Sequence, residues 1–443
     1  MLIDPVKEMK RLIEFDTVSS PPRKMPSSDC PTYIVKKLEN LGFMAELLEN
    51  EGVYTAFGRK GQGDFKILFL AHFDVVPVGD KWKSDPFRLK VEGDRMYGRG
   101  AADDKGAVLT LFLLAEMLQS ADPGCCVMIA ATGDEEIGGS RGAGFLVEHL
   151  RKQGLYPDYL VVCDGVDQQI IHRRRNILPT SIKFKQSIER IRGTEETIRF
   201  ETETFLTDSR HSAYMRPGVD RHAMLAASKY LDLNPLVKVK NIQGAFIKSN
   251  VVPDWVELDL VHPDESATEI EFDKNLTGVM QSLLAISQAA FPTFHSDRGK
   301  IVSPNLISLE DGLWTLYCDI RAMTNDSEAV EEFIHEAVDE GVELFSLKTE
   351  RGAGFVKSDP DCKLIRAAKW ALKKENIPIL LFEGFGASDS RFFAGSRTQL
   401  FDFGPQGANI HGPNEWVSLS SIQQNAKFFH TLIDVLVRNP KGL

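Results

Sequence analysis

Ile67-Leu68-Phe69-Leu70-Ala71-His72-Phe73-Asp74 is a short apolar run that ends in a histidine and an acid. Its length suits a buried strand, and two similar runs follow, Val127 to Ala131 and Leu160 to Cys163. Between them lie stretches with helical apolar spacing, Gly106 to Leu118 and Arg141 to Gln153. Strands alternating with helices at this spacing predict an α/β layer structure with a mostly parallel sheet flanked by helices. Upstream, residues 1–20 and 31–43 also carry helical spacing.

The pattern changes after Gly165. From Ile182 to Glu203, apolar and polar residues alternate (Ile182, Phe184; Ile198, Phe200), as in a sheet with one wet face. A helix at His222 to Leu231, strands at Ala245 to Val261 and Leu313 to Arg321, and helices near Leu276 to Ala290 and Ala329 to Ala337 follow. Together they predict an inserted α+β domain, an antiparallel sheet with helices on one face. After Arg351 the α/β alternation resumes, with a helix at Lys363 to Lys374 and strands at Ile379 to Phe382 and Thr398 to Phe401. The expected organisation is one α/β domain in two segments, residues 1–178 and 355–443, split by an inserted domain at 179–354. The run Arg173-Arg174-Arg175 near the first boundary reads as a solvated hinge.

The 443 residues carry 63 acids against 52 lysines and arginines, a formal net charge of −11. That balance argues against a nucleic-acid partner, whose footprint would be a basic patch. The six cysteines form no C-x-x-C pair, so reduced thiols are expected. The charged, amphipathic start lacks the apolar core of a secretory signal. The longest largely apolar run, Ala107 to Ala115, is about half of what a membrane span needs. A soluble, cytoplasmic protein with no membrane partner is the expectation.

Chemistry concentrates where strands end. His72 and Asp74 lie two apart on an extended segment, so they point the same way, and an acid beside a histidine fixes its tautomer. Gly98-Arg99-Gly100-Ala101-Ala102-Asp103-Asp104-Lys105-Gly106 turns tightly and sets two acids at a helix start. A phosphate loop is excluded there, because acids stand where the phosphate would sit and no G-K-[ST] follows. Gly133-Asp134-Glu135-Glu136 puts three consecutive acids after an apolar strand, a costly placement that a cation would relieve. Asp164 ends a third strand, and His411 lies in Ile410-His411-Gly412-Pro413-Asn414-Glu415. Histidines and acids gathered without cysteine suit a hard-to-borderline cation.

These motifs, with Trp82, Asp85-Pro86-Phe87 and Gly386-Ala387-Ser388-Asp389-Ser390-Arg391-Phe392, resemble the di-zinc exopeptidase and aminoacylase family. The family includes carnosinase-type dipeptidases, aminoacylase, acetylornithine deacetylase, succinyl-diaminopimelate desuccinylase and carboxypeptidase G. The resemblance covers nearly all of both outer segments. It implies two divalent ions, zinc with cobalt or manganese as alternatives, sharing Asp103. One ion would also be held by His72 and Asp164, the other by Glu136 and His411. Asp74 would orient His72, Glu135 would be the general base, and the bond from Asp103 to Asp104 would be cis. In the inserted lid, His211 resembles a histidine that donates to the oxyanion, and Asn250 and Arg321 resemble residues that contact substrate. Gly386 and Ser388 are further substrate-contact candidates. His222 stands where the family pattern has another residue and reads as structural or exposed.

The implied activity is hydrolysis of a peptide bond in short peptides. Within the family an aspartate at position 164 is commoner in dipeptidases, aminopeptidases and aminoacylases. Deacylation of an N-acyl amino acid is the alternative, and a catalytically silent binding protein on this scaffold a remoter one. A homodimer through the lid is an open option, weighed against a lid larger than the minimal dimer-forming kind.

Overall fold

The computed structural model describes residues 3–20, 24–79, 81–120, 122–205, 211–216, 218–294, 297, 300–384, 386–395 and 397–438. The chain divides into two compact units, Met1–Arg174 with Val356–Leu443, and Arg175–Phe355.

In the first unit the strand Lys66–His72 lies at the heart of a sheet. Ile67, Phe69 and Ala71 enter one hydrophobic cluster, and Leu68 and Leu70 enter another. Alternate side chains thus face opposite sides, and both sides are dry. The sheet order is Met44–Asn50, Val53–Lys60, Cys126–Thr132, Lys66–His72, Tyr159–Val162, Gln399–Asp402, Ile170–Arg174 and Val356–Lys357, with Leu381–Gly384 also on Ile170–Arg174. The four strands from Cys126–Thr132 through Gln399–Asp402 are mutually parallel. The expectation of a mostly parallel sheet needs correcting at the flanks. Met44–Asn50 and Val53–Lys60 form an antiparallel hairpin, and Ile170–Arg174 runs antiparallel to Gln399–Asp402. The hairpin turns on Glu51 and Gly52, both with positive φ, which matches the twist of its strands.

Helices cover the larger cluster. Gly106–Met117 is buried almost all round and packs on Leu419–Arg438, whose Ile422, Ala426, Phe429, Ile433 and Leu436 recur at helical spacing. Phe69, Phe403, Phe428 and Phe429 meet ring to ring between sheet and helix.

The second unit also departs from expectation. It has two antiparallel sheets rather than one: Ile301–Glu310, Leu313–Ala322, Thr180–Lys185 and Leu344–Thr349, joined by Asn176–Ile177, and Lys238–Gly244, Trp255–Pro263, Ile188–Glu201 and Glu269–Asp273. The helices Ala223–Leu233 and Lys274–Ser287 contact strands of both sheets, so one core serves the two. Asp273 shows how tightly it is tied. Its carboxylate caps the helix through Leu276 N–H and accepts the Trp314 indole N–H at 2.8 Å.

All six cysteines are unpaired. Among the described residues, no helix is long and apolar enough to cross a membrane.

Candidate metal centre

Three parallel strands deliver their carboxyl ends to one place, where sheets of this kind bind ligands. His72 ends the strand Lys66–His72. Glu135 and Glu136 follow Cys126–Thr132 in a single tight turn, and Asp164 follows Tyr159–Val162. The turn needs Gly133, because a Cβ there would lie 2.6 Å from the Phe73 ring and 2.9 Å from the Tyr54 carbonyl. Asp103 arrives on the loop before helix Gly106–Met117, and the peptide bond Asp103–Asp104 is cis.

The donors converge in two groups. His72, Glu135 and Asp164 offer ligand atoms within 4.8 Å of one another, and so do Asp103, Glu136 and His411. Asp103 joins the groups: its Oδ1 lies 2.9 Å from His72 Nε2 and its Oδ2 lies 3.1 Å from His411 Nε2. His411 Nε2 is also 3.0 Å from Glu136 Oε1. The two groups contain His72, Asp103, Glu136, Asp164 and His411, the residues expected from sequence to hold a cation, together with Glu135, expected as the general base.

Asp74 meets His72 twice. His72 Nδ1 donates to the Asp74 main-chain carbonyl at 3.0 Å and lies 3.4 Å from a carboxylate oxygen. The carboxylate also accepts from Glu135 N–H, Glu136 N–H and Ser19 Oγ, at 3.1, 3.2 and 3.0 Å. Asp74 thus faces the histidine with backbone and side chain and fixes the two glutamates with its side chain.

In the second unit His211 and Asn250, distant in sequence, come within 3.3 Å of each other (His211 Nε2 to Asn250 Nδ2). His211 Nδ1 accepts from Ala213 N–H at 3.0 Å, and Nε2 faces the Asn250 amide. Ser212 donates to Asp319, which also accepts from Arg321 Nε at 3.0 Å. Ser212 and Asp319 therefore link all three lid candidates.

The profile of Peptidase family M20/M25/M40 matches residues 68–435. The chain belongs to that family. A curated relative, the succinyl-diaminopimelate desuccinylase of Bordetella parapertussis, is 25% identical over 428 residues, covering 95% of this chain and 96% of its own. Among solved structures, the aminoacylhistidine dipeptidase of Vibrio alginolyticus has the same fold, with a TM-score of 0.69 at 13% identity over 97% of this chain and 96% of that one. A dinuclear metal-binding M20 peptidase from Bacillus subtilis matches with a TM-score of 0.51 at 13% identity, covering 98% of both chains. Like the rest of the M20 family, the chain is a metal-dependent hydrolase.

The donor chemistry of this M20 centre fits divalent cations. The converging groups are imidazole and carboxylate, with no thiolate among them. Burial pushes the Asp164 and Glu136 carboxyls up, and the charge of Asp103 pushes both further. Burial alone would lower both imidazoles. His72 nevertheless stands well above its ordinary range through hydrogen bonds to Asp103 and Asp74, and His411 through Glu136 and Asp103. Burial would likewise raise Asp103, yet its two histidine partners hold it below the carboxylate range. The pocket favours positive charge.

Other M20 positions were not legible as functional. Arg391 Nη1 lies 3.8 Å from Glu135 Oε1, and Arg174 donates to Asp402 at 2.7 Å and to the Asp164 carbonyl at 2.8 Å. The expected solvated hinge is thus corrected: Arg174 and Arg175 are buried, Arg175 on Asp297 at 2.9 Å, and Arg173 pairs with Glu383 at 2.7 Å. Three adjacent positive charges fit because each has an acid of its own. Ser388, expected as a substrate contact, is fully buried, with its hydroxyl on Asp402 at 2.6 Å. Gly386 is buried beside it.

His222 is structural. Its Nδ1 caps helix Ala223–Leu233 by accepting Met224 N–H at 3.2 Å, and Nε2 lies 3.2 Å from Ser303 Oγ. Burial lowers its pKa from 6.5 to about 4, against a smaller upward pull from Asn305. A protonated ring has no lone pair to accept the cap. The unfolded chain takes up this proton below pH 6.5 and the folded chain only near 4, so acid favours unfolding across that window. Between pH 7 and pH 4 the stability advantage of the native protein over His222→Asn, which keeps a capping acceptor, should shrink by about 3 kcal/mol. Urea unfolding at both pH values measures it; a pH-independent difference would show that His222 is not held neutral.

Proposed function

We propose that the protein hydrolyses a peptide bond in short peptides at a two-cation centre. The observation that carries the reading is Asp103, whose two oxygens address His72 and His411 separately and so join two donor groups. In this reading His72, Asp103 and Asp164 hold one ion, and Asp103, Glu136 and His411 hold the other. Zinc is the expected metal, with cobalt or manganese suited to the same nitrogen and oxygen donors. Two such ions, when bound, polarise a carbonyl and acidify a water.

The chain's own residues do the rest. Glu135 takes the water's proton and passes it to the leaving nitrogen. Its N–H is anchored on Asp74, and Arg391 stands 3.8 Å from its carboxylate. His211 donates to the carbonyl oxygen as negative charge develops there. Arg321 and Asn250 contact the substrate from the same cluster.

Asp164 supports a dipeptidase or aminopeptidase-like reading over a desuccinylase, since the family resemblance associates aspartate at that position with dipeptidases, aminopeptidases and aminoacylases and glutamate with desuccinylases and carboxypeptidases. The second reading is deacylation of an N-acyl amino acid, favoured by the desuccinylase relative that spans 95% of the chain. The deciding assay reconstitutes the protein with zinc, cobalt or manganese and compares dipeptides with N-succinyl and N-acetyl amino acids. Turnover of dipeptides at least tenfold above the acylated panel is expected. The reverse ranking would transfer the assignment to deacylase, and no bound metal with no turnover would end both.

A further inference from the structure

Asp103 can join the two donor groups only if its loop is held still, and that loop has little regular structure to hold it. Gly100 has φ +80, and Asp103 and Asp104 leave helical geometry (φ −133 and −138). Such backbone strands its own N–H groups away from helix or ladder partners, and buried donors need acceptors.

One side chain receives them. Glu415 Oε1 accepts from Ala102 N–H at 2.8 Å and from Asp103 N–H at 3.0 Å, and Oε2 accepts from Gly100 N–H at 3.0 Å. Its main-chain carbonyl takes Gly98 N–H at 3.0 Å. Glu415 is 0% exposed, and its charge is balanced by Arg99 Nη1 at 2.6 Å, itself 1% exposed. The other arm of Arg99, Nη2, donates to the His411 carbonyl at 3.3 Å. The pair therefore ties the backbone of the joining carboxylate to the backbone of a histidine 308 positions later (103 to 411).

We infer that Glu415 is a positioning residue that, through Arg99, sets the Asp103-to-His411 spacing and with it the affinity of the Asp103–Glu136–His411 cation site. The inference rests on the two-cation reading above. A buried pair kept only for stability is a poor bargain, because its desolvation cost often cancels its attraction. Here the carboxylate has three backbone donors besides the arginine, a set no apolar pair could replace. Residues behind metal ligands are commonly worth about 10–100-fold in metal affinity.

The test titrates chelator-stripped protein with zinc chloride and cobalt(II) chloride by calorimetry, and records the thermal midpoint of the stripped protein separately. In Glu415→Gln one acceptor becomes an amide that cannot serve Arg99 and Gly100 together. The wild type should bind two cations, and Glu415→Gln should bind one of them about 10–100-fold more weakly. Glu415→Asp should move the same way, since it keeps the charge but falls short of the loop. If Glu415→Gln does not fold, the Arg99→Met/Glu415→Gln double variant, which buries no charge in this pair, replaces it with the same expectation. Wild-type titration curves in the variants would overturn the inference, even with a shifted thermal midpoint, because that combination marks a merely structural pair. A wild type that binds no pair of cations would instead sink the two-cation reading and this inference with it.

Discussion

Replacing Glu135 with glutamine should lower kcat by about 10²–10⁴-fold, leave KM near its native value and leave two cations bound. The two side chains have the same shape, but an amide has no basic lone pair to take a proton from water. The surroundings should hold the glutamine in place, because the turn is fixed through backbone: Glu135 N–H and Glu136 N–H both donate to Asp74. The geometry also offers a competing role. The Glu135 carboxylate lies within 4.8 Å of the His72 and Asp164 donor atoms, close enough to be a ligand itself. Arg391, at 3.8 Å, draws that carboxylate toward a positive charge of the chain's own. Cation stoichiometry separates the two roles. Lost turnover with two cations bound identifies a base; loss of one cation identifies a ligand, and the assignment of Glu135 as base then fails.

The parts of this centre that could be read from sequence are those whose chemistry is local. A buried strand that ends in His72, or a turn that stacks three acids after one, is conspicuous because the surrounding residues are apolar. The helix Lys363–Lys374 was legible to the residue, since its apolar face repeats without interruption. The hairpin Met44–Lys60 was not. It lies at the sheet edge, where Glu46 and Glu49 are exposed and dilute the strand pattern, and its turn is Glu-Gly rather than Asn-Gly. Helix Leu419–Arg438 carries a helical spacing at Ile422, Ala426, Phe429 and Ile433.

In the second unit the strand expected over Ala245 to Val261 is two pieces of different kind. Only Trp255–Pro263 is strand, and the preceding segment carries Asn250 to His211. Side chains that act on another part of the chain were the least legible. Nothing near Glu415 announces that its acceptors serve Gly100, Ala102 and Asp103, because those donors are orphaned by backbone geometry that sequence does not display. Arg391 and Arg174 reach Glu135 and Asp164 across the fold for the same reason.

The largest loss is expected at Asp103, where asparagine should abolish the joining of the two donor groups. Each oxygen of the carboxylate serves one histidine, at 2.9 and 3.1 Å, and the amide retains an oxygen for only one of them. Its NH₂ group then faces the other cation's position with a donor where an acceptor is required. Metal analysis should show the bound cations fall from two to one. Charge stabilisation by a metal ion is worth several kcal/mol, so turnover should drop roughly 10³-fold or more, with no rescue by excess metal. Asp164→Asn is the informative contrast. Asp164 belongs to the His72 side alone, and it is already pushed toward neutrality by burial and by the charges of Asp103 and Glu135. It should weaken one cation while leaving the Asp103–Glu136–His411 site at native affinity. If Asp103→Asn and Asp164→Asn give the same single-site defect, Asp103 belongs to one group only, and the centre is two neighbouring sites rather than a joined pair.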